Sequence, residues 1–200
     1  MKIYTDNPDF AKRYFGQNIK FSKAENHYFD SNITPVINKL IHPSPVFSSE
    51  KKENAGWNHL ILTEFSEESQ FDSLIELSKN HELPDKILCQ AGSGKKFHGF
   101  RNRAWKSLPG NLHISAFFAP NRPSAYFGTG FLILAAVSVV HTIDSIPRLK
   151  GKAQIKWVND VLIEDAKICG VLAQTQITGS NVTGAVIGIG LNVETAPQVE

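Results

Sequence analysis

The hydrophobic pattern sharpens from Trp57 onward. WNHLILTEF alternates and then runs apolar, as a strand does. SEESQFDSLIELSKN follows with a helical period: Phe71, Leu74 and Ile75 form one apolar stripe, Ser66 can cap the start, and Glu67 and Glu68 suit the positive end of the helix dipole. Pro84 separates this helix from a short strand, DKILCQ. After the polar loop AGSGKKFHGFRNRAWKSLPG comes a strand, NLHISAFF, and then a long helix within Pro123 to Ile143. That helix is apolar nearly all round and is expected to be covered on most sides. AQIKWV, KICGVLAQTQ and AVIGIGLNVE read as three more strands, the last two joined by a turn in ITGSNVTG. The order strand, helix, two strands, helix, three strands predicts an α/β fold of the α+β type, a sheet layered with helices.

Residues 1 to 55 are less regular. NPDFAKRYFG suggests a short helix, and HPSPVFSSEKKENAG, rich in Pro, Ser and charge, reads as a linker or surface loop. The expected organisation is an N-terminal extension of unassigned role over 1–55 and a main folded domain over 56–200. No repeats and no helix-turn-helix pattern are visible.

Composition narrows the function. The chain has 200 residues, 42% hydrophobic and 20% charged, enough for one substantial core. A net charge of +2 gives no electrostatic case for a nucleic-acid partner. The two cysteines, Cys89 and Cys169, form no CxxC pair and offer no zinc spacing, so two buried thiols are expected. MKIYTDNPDF lacks the apolar core of a signal peptide, and AYFGTGFLILAAVSVVHTI carries Gly, Ser, Thr and His in a short run. A cytoplasmic protein without a membrane span is expected.

Three stretches carry candidate chemistry. The loop from Gln90 to Trp105 holds Gly92, Gly94 and Gly99 with Lys95, Lys96, Arg101 and Arg103. Glycines let backbone N–H groups turn toward an anion, and the cations add full charge, so the loop suits a polyphosphate or an acyl phosphate. A solvated basic loop is the plain alternative. The pattern is neither a P-loop nor a dinucleotide fingerprint. In QIKWVND, Lys156 sits among apolar residues, either snorkelling to the surface or held beside an anion in a partly dry site. Asn159 and Asp160 follow at the strand end, common turn residues that could also hold Mg2+. Lys167 opens KICGVLAQ, with Gly170 three residues on, and Gly188 and Gly190 recur in the last strand before Asn192. Strand-interior glycines mark close approach by a ligand or by another backbone. His113 in NLHIS faces either a pocket or the core.

Together these motifs resemble the catalytic domain of biotin protein ligases, within the wider biotin/lipoate ligase family. KWVND is similar to that family's KWPND, AKICGVLAQ to RKLAGILVE, GIGLNV to G-x-G-I-N, PGNLHIS to G-x-NLYLS, and QAGSGKKFHGFRNRAW to an expanded QTAGRGRRGRxW. Order and spacing agree from about Trp57 to Val193, about two thirds of the chain. The resemblance implies a mixed, largely antiparallel sheet with a class II synthetase-like core. It implies ATP-dependent activation of biotin to biotinyl-AMP with Mg2+, then transfer to a lysine of the biotin carrier domain of a carboxylase. It allows a homodimer.

By that resemblance Lys156 faces the α-phosphate, and Lys167 the biotin carboxyl and bridging oxygens. Arg101, Arg103, Lys95 and Lys96 close the loop over the adenylate, with Gly92 and Gly94 in its turn. Gln90 hydrogen-bonds biotin, Trp105 anchors the loop, and Gly170 and Gly188 floor the pocket with His113 beside it. Asn192 lies near the adenine, and Asn159 and Asp160 position Mg2+. Three departures stand out. TEFSEESQ takes the place of the family's Ser-Thr-Asn, with Ser66 or Ser69 as substitutes. GSGKKFHG replaces the G-R-G-R core. The chain stops after GIGLNVE, with neither a C-terminal β-domain nor a winged helix visible, so no repressor function is expected. A lipoate or octanoate ligase or transferase, and a non-catalytic biotin- or adenylate-binding protein, are the alternative readings.

Overall fold

The computed structural model describes residues 1–24, 29–52, 56–127 and 129–197. The elements in chain order are β1 (Lys2–Thr5), α1 (Pro8–Phe15), β2 (Ser22–Lys23), α2 (Thr34–Leu40), β3 (Phe47–Glu50), β4 (His59–Ser66), α3 (Gln70–Asn80) and β5 (Ile87–Gly94). Then come β6 (Leu112–Phe118), β7 (Arg122–Pro123), α4 (Gly130–Asp144), β8 (Ala153–Lys156), β9 (Asp160–Ile163), β10 (Ala166–Thr178) and β11 (Asn181–Leu191). The strands form one sheet in the order β2-β3-β1-β4-β5-β6-β11-β10-β9-β8, with β7 beside β11. Among the described residues only β1·β4 and β4·β5 are parallel; the other pairs are antiparallel. The mixed, largely antiparallel sheet expected from the sequence is therefore present.

Strand parity divides the core between two faces. On one face Ile61, Ile87, Cys89, Phe117 and Val186 pack under α2 and α3 through Ile37, Phe71 and Leu74. On the other, Leu60 and Leu62 pack under α1 through Phe10 and Ala11. Further along that second face, Val161, Val171 and Ile187 pack under α4 through Phe131, Ala135 and Val139. The α2/α3 face carries the site.

Several expectations shift by a few residues, each for a local reason. The cap of α3 is Ser69, whose Oγ accepts the Asp72 N–H at 3.3 Å, while Ser66 ends β4 and donates to the Glu68 carbonyl. Strand β5 runs on to Gly94, because its pairing with β4 continues to Ser66 and draws the start of the predicted loop into the sheet. The turn between β10 and β11 is only Gly179-Ser180, with Gly179 at φ +61°, so Ile177 and Val182 are already paired. Strand β9, over Asp160–Ile163, is an addition: the sequence pattern places a strand over AQIKWV and the next over KICGVLAQTQ, with none between. In α4 one face is buried, but Leu134 is 56% and Val137 48% exposed, so the helix is covered on one side only.

The N-terminal segment contains α1 as expected, with Asn7 Oδ1 accepting the Asp9 and Phe10 N–H groups. It also contributes β1 and β3, which extend the sheet beyond β4. The predicted linker includes β3, and its residues 53–55 lie outside the described residues. Among the described residues no helix is long and apolar enough to cross a membrane.

Candidate active site

Register builds the site. One row of cross-strand partners crosses the sheet: Thr63, Ala91, His113, Gly190, Gly170, Asp160 and Lys156. Directly paired residues share a face, so these seven positions face one way. Two residues along, Cys89, Ser115, Gly188 and Leu172 form a parallel row on the same face. The glycines make a trough. A Cβ at Gly190 would lie 2.6 Å from Trp105 Cε2, and one at Gly188 would lie 3.0 Å from Phe71 Cδ2. Neither ring could sit so close to the sheet over a larger residue.

Lys167 reaches this face because of an irregularity. Lys167 and Gly170 are three apart and would face opposite ways in a regular strand. The pairing of β10 with β9 shifts between Lys167 and Cys169, a bulge that turns Lys167 onto the trough. A Cβ on Gly170 would lie 3.5 Å from Lys167 Nζ. The ammonium sits 2.8 Å from Asp160 Oδ1 and 5.9 Å from the centre of the Trp105 ring. Carboxylate and indole hold it in place.

Two adjoining cavities open here. The inner one, of ≈ 50 Å³, has its floor at Ser115, Gly188, Gly190 and Gly170, with Ser69, Phe71, Phe97 and His113 around it. It has room for no more than a few waters. The outer cavity, of ≈ 570 Å³, is lined by Arg103, Lys106, Asn159, Asp160, Asn192 and Pro197, among others. Trp105, Lys167, Asn159, Gly99 and Phe100 line both and so form the boundary. Asn159 is fixed by its Nδ2, which donates to the Val171 carbonyl at 3.3 Å, leaving Oδ1 free to accept. Asn192 is held by Asn111, whose Nδ2 donates to Asn192 Oδ1 at 3.3 Å while its own Oδ1 accepts the Val193, Glu194 and Thr195 N–H groups.

The loop after β5 is clasped to the start of α3. Lys95 meets Glu67 at 3.2 Å, Lys96 meets Glu68 at 3.2 Å, and His98 Nε2 lies 2.9 Å from an Asp72 oxygen. Burial pulls the His98 pKa down, but the Asp72 carboxylate and the Gly99 carbonyl outweigh it, and the net shift is upward. Phe97 lies edge-on to His113 with ring centres 5.6 Å apart. Burial depresses the His113 pKa.

The candidate residues therefore separate. Arg103, Trp105, His113, Asn159, Asp160, Lys167, Gly170, Gly188 and Asn192 line the two cavities. Gln90 and Gly92 do not, which corrects the expectation for both. Parity places Gln90 on the face opposite His113, where its Nε2 donates to the Ala91 carbonyl, and Gly92 packs under Phe10 of α1. Gly94 is wedged between the Ser66 carbonyl and the Phe97 ring. Lys95 and Lys96 turn to the carboxylates of 67–68, and Arg101 lies 5.5 Å over the Phe100 ring. Lys156 is exposed at the end of the row on edge strand β8, facing the side of Asp160 but lining neither cavity. Phe97, Ser115 and Asn111 escaped sequence reading. Only its register with Gly188 distinguishes Ser115, and only its place before β6 marks Asn111.

Over 119 residues the chain is 33% identical to the bifunctional ligase/repressor BirA of Bacillus subtilis, covering 59% of this chain and 36% of that protein. Over 99 residues it is 28% identical to the biotin–[acetyl-CoA-carboxylase] ligase of Paracoccus denitrificans, covering 50% and 41%. It thus spans well under half the length of these two curated relatives. Its fold matches the Aquifex aeolicus biotin protein ligase solved with biotin and ATP, with a TM-score of 0.53 and 23% identity over 71% of this chain and 56% of that one. The family profile matches residues 82–192, more than half of the chain, and that segment carries every cavity-lining glycine together with Lys167 and Asp160. On this match the chain belongs to the Biotin/lipoate A/B protein ligase family.

Proposed function

We propose that the chain activates biotin with ATP to biotinyl-AMP and carries the biotinyl group to a lysine of a biotin carrier domain of a carboxylase. The carrying observation is the pair of adjoining compartments with Lys167 on their boundary. The first step brings a carboxylate to an anionic phosphate. A fixed ammonium between the two lowers that repulsion, and confinement of both partners supplies orientation. The inner trough takes the ring and tail of biotin, and the outer cavity takes the nucleotide beside Asn192, with Arg103 near its phosphates. Lys167 holds the carboxylate at the junction. Trp105 and the clasped loop exclude water, which would otherwise hydrolyse the mixed anhydride. Lys156, on the open edge, has the reach to approach the phosphates once the nucleotide is seated.

Asp160 and the free Oδ1 of Asn159 fit Mg2+, which takes oxygen ligands and uses one or two protein groups beside phosphate oxygens. Among the described residues no cluster of three or more His, Cys, Asp or Glu competes for that role. Bound there, the ion would supply charge neutralisation at the phosphates, held by Asp160 and Asn159, while Lys167 stands 2.8 Å from Asp160 Oδ1 and faces the carboxylate.

The test is pyrophosphate release from ATP and Mg2+ with biotin, lipoate or octanoate in parallel. Release with biotin is expected. Release only with lipoate or octanoate moves the chain to acyl transfer of that kind, and tight biotin binding without release makes it a binding module. Lys156→Ala is expected to abolish release with an unchanged melting curve; wild-type release would remove Lys156 from the mechanism.

A further inference from the structure

We propose that His113 Nδ1 accepts a ring N–H of the bound ligand, and that this contact makes the inner compartment select a cyclic urea over a dithiolane or a plain acyl chain. The inference rests on the reading of this site as a biotin pocket and adds the group that chooses the ligand.

The tautomer follows from the neighbours. His113 Nε2 lies 3.2 Å from the Leu108 carbonyl oxygen, which can only accept. Nε2 therefore carries the proton, and in the neutral ring Nδ1 is a bare acceptor. The residue is 1% exposed, and Nδ1 has no partner among the described residues. It lines the inner compartment beside Gly190, its direct partner across β6 and β11. A buried acceptor left empty is costly, so a ligand that fills it gains more than one hydrogen bond's net worth.

A complementary donor lines the same compartment. Ser69 Oγ accepts the Asp72 N–H, which leaves its hydroxyl proton free to donate into the cavity it lines. A cyclic urea presents N–H donors beside a carbonyl acceptor and suits this pair. A dithiolane or an alkyl end offers no N–H and would seal Nδ1 away unpaired. Sites built to hydrogen-bond a substrate reject analogues that lack the group for that reason. Entry of the bicyclic ring requires the Trp105 indole to lift from the glycines, because the inner volume is too small beneath it.

Two ionisable side chains other than His113 line this compartment, and each has its own partner: Lys167 faces Asp160, and His98 faces Asp72. The remaining influences on the His113 ring are burial, which lowers its pKa, and the Leu108 carbonyl. The ring is therefore neutral at neutral pH. Protonation at low pH places an N–H on Nδ1 and removes the acceptor.

The experiment is calorimetric titration of biotin and lipoate into the wild type, His113→Phe and His113→Asn, with melting curves as folding controls. Asn places an oxygen near the position of Nδ1. The expected result is a loss of about tenfold or more in biotin affinity in His113→Phe, partial recovery in His113→Asn, and no loss for lipoate. At pH values above the titration range of the biotin carboxylate, wild-type biotin affinity should fall toward low pH more steeply than that of His113→Phe. Equal weakening of biotin and lipoate marks a packing role and overturns the proposal, as does unchanged biotin affinity in His113→Phe. A wild type that is folded yet binds no biotin overturns the proposed function itself.

Discussion

Adding one methyl at Gly190 should evict Trp105 from the trough and open the loop. The built Cβ would lie 2.6, 2.7 and 2.9 Å from Cε2, Cζ2 and Nε1 of the indole. Carbon atoms in contact prefer about 3.5–4.0 Å, so the ring must retreat by about 1 Å or more, and β11 cannot yield because it is paired on both sides. A tryptophan buries roughly 150–250 Å², and losing the sheet-facing part of that, about 100 Å², forfeits about 2.5 kcal/mol of loop docking. At 1.4 kcal/mol per decade the open population of the loop rises about sixtyfold. Global stability should hardly change, since alanine is slightly better than glycine inside a strand. Trypsin reads the opening directly, because Lys95, Lys96, Arg101 and Arg103 all lie in the loop and cleavage follows the open population. Trp105 fluorescence in a Trp57→Phe, Trp157→Phe background gives a second readout. Gly184→Ala is the control on the same strand, because its methyl meets the flexible Oε1 end of Gln176 at 2.8 Å and Phe117 Cε2 at 3.2 Å, and not Trp105. Equal trypsin rates for Gly190→Ala and the control would refute the seat assigned to Trp105.

Two other perturbations follow from the same geometry. The raised His98 pKa means that its pairing with Asp72 tightens the loop most below the free-imidazole value of about 6.5 and is lost as pH rises through the folded value. Quenching of Trp105 by acrylamide should therefore increase between neutral and alkaline pH, and Asp72→Asn should flatten the profile. Lys167→Ala removes the ammonium at the boundary and leaves Asp160 without its partner at 2.8 Å, so biotin affinity should fall far more than ATP affinity; equal losses by calorimetry would take Lys167 away from the carboxyl. Burial pushes the Cys169 thiol up to about 12 and Cys89 further, so a disulfide reagent at pH 8 should label neither until the chain unfolds.

The elements from Trp57 onward were legible because each rests on a local pattern. Phe71, Leu74 and the alternation of HLIL state a helix and a strand without help from the rest of the chain. What was not legible depends on distant partners. That Gln90 turns to the opposite face and Ala91 to the face of the site follows from register with β6, where Gln90 pairs with Ile114 and Ala91 with His113. That Lys167 joins Asp160 depends on a bulge that no residue type announces. Lys95 and Lys96 looked like phosphate ligands because composition records charge and not the carboxylates at Glu67 and Glu68 that receive it. The N-terminal strands were hidden for the same reason: FSSE has little pattern of its own and becomes a strand through Tyr4 and its neighbours in β1.

Register also explains why the two compartments differ in character. Along the central row the side chain shrinks to nothing at Gly190 and Gly170 and grows again at Asp160 and Lys156. The trough is thus deepest where aromatic rings cover it and rises toward charge at the sheet's β8 edge. A single lysine, turned by the bulge, stands at the step between the two. Such a gradient suits a ligand with a compact ring at one end, covered by aromatic side chains and met by a few buried polar groups, and a carboxylate at the other. A flat or evenly polar face could hold the nucleotide, but it would leave the ring exposed and the carboxylate free to wander. The position of Lys167 at the step, more than the number of cations nearby, is what gives this face its direction.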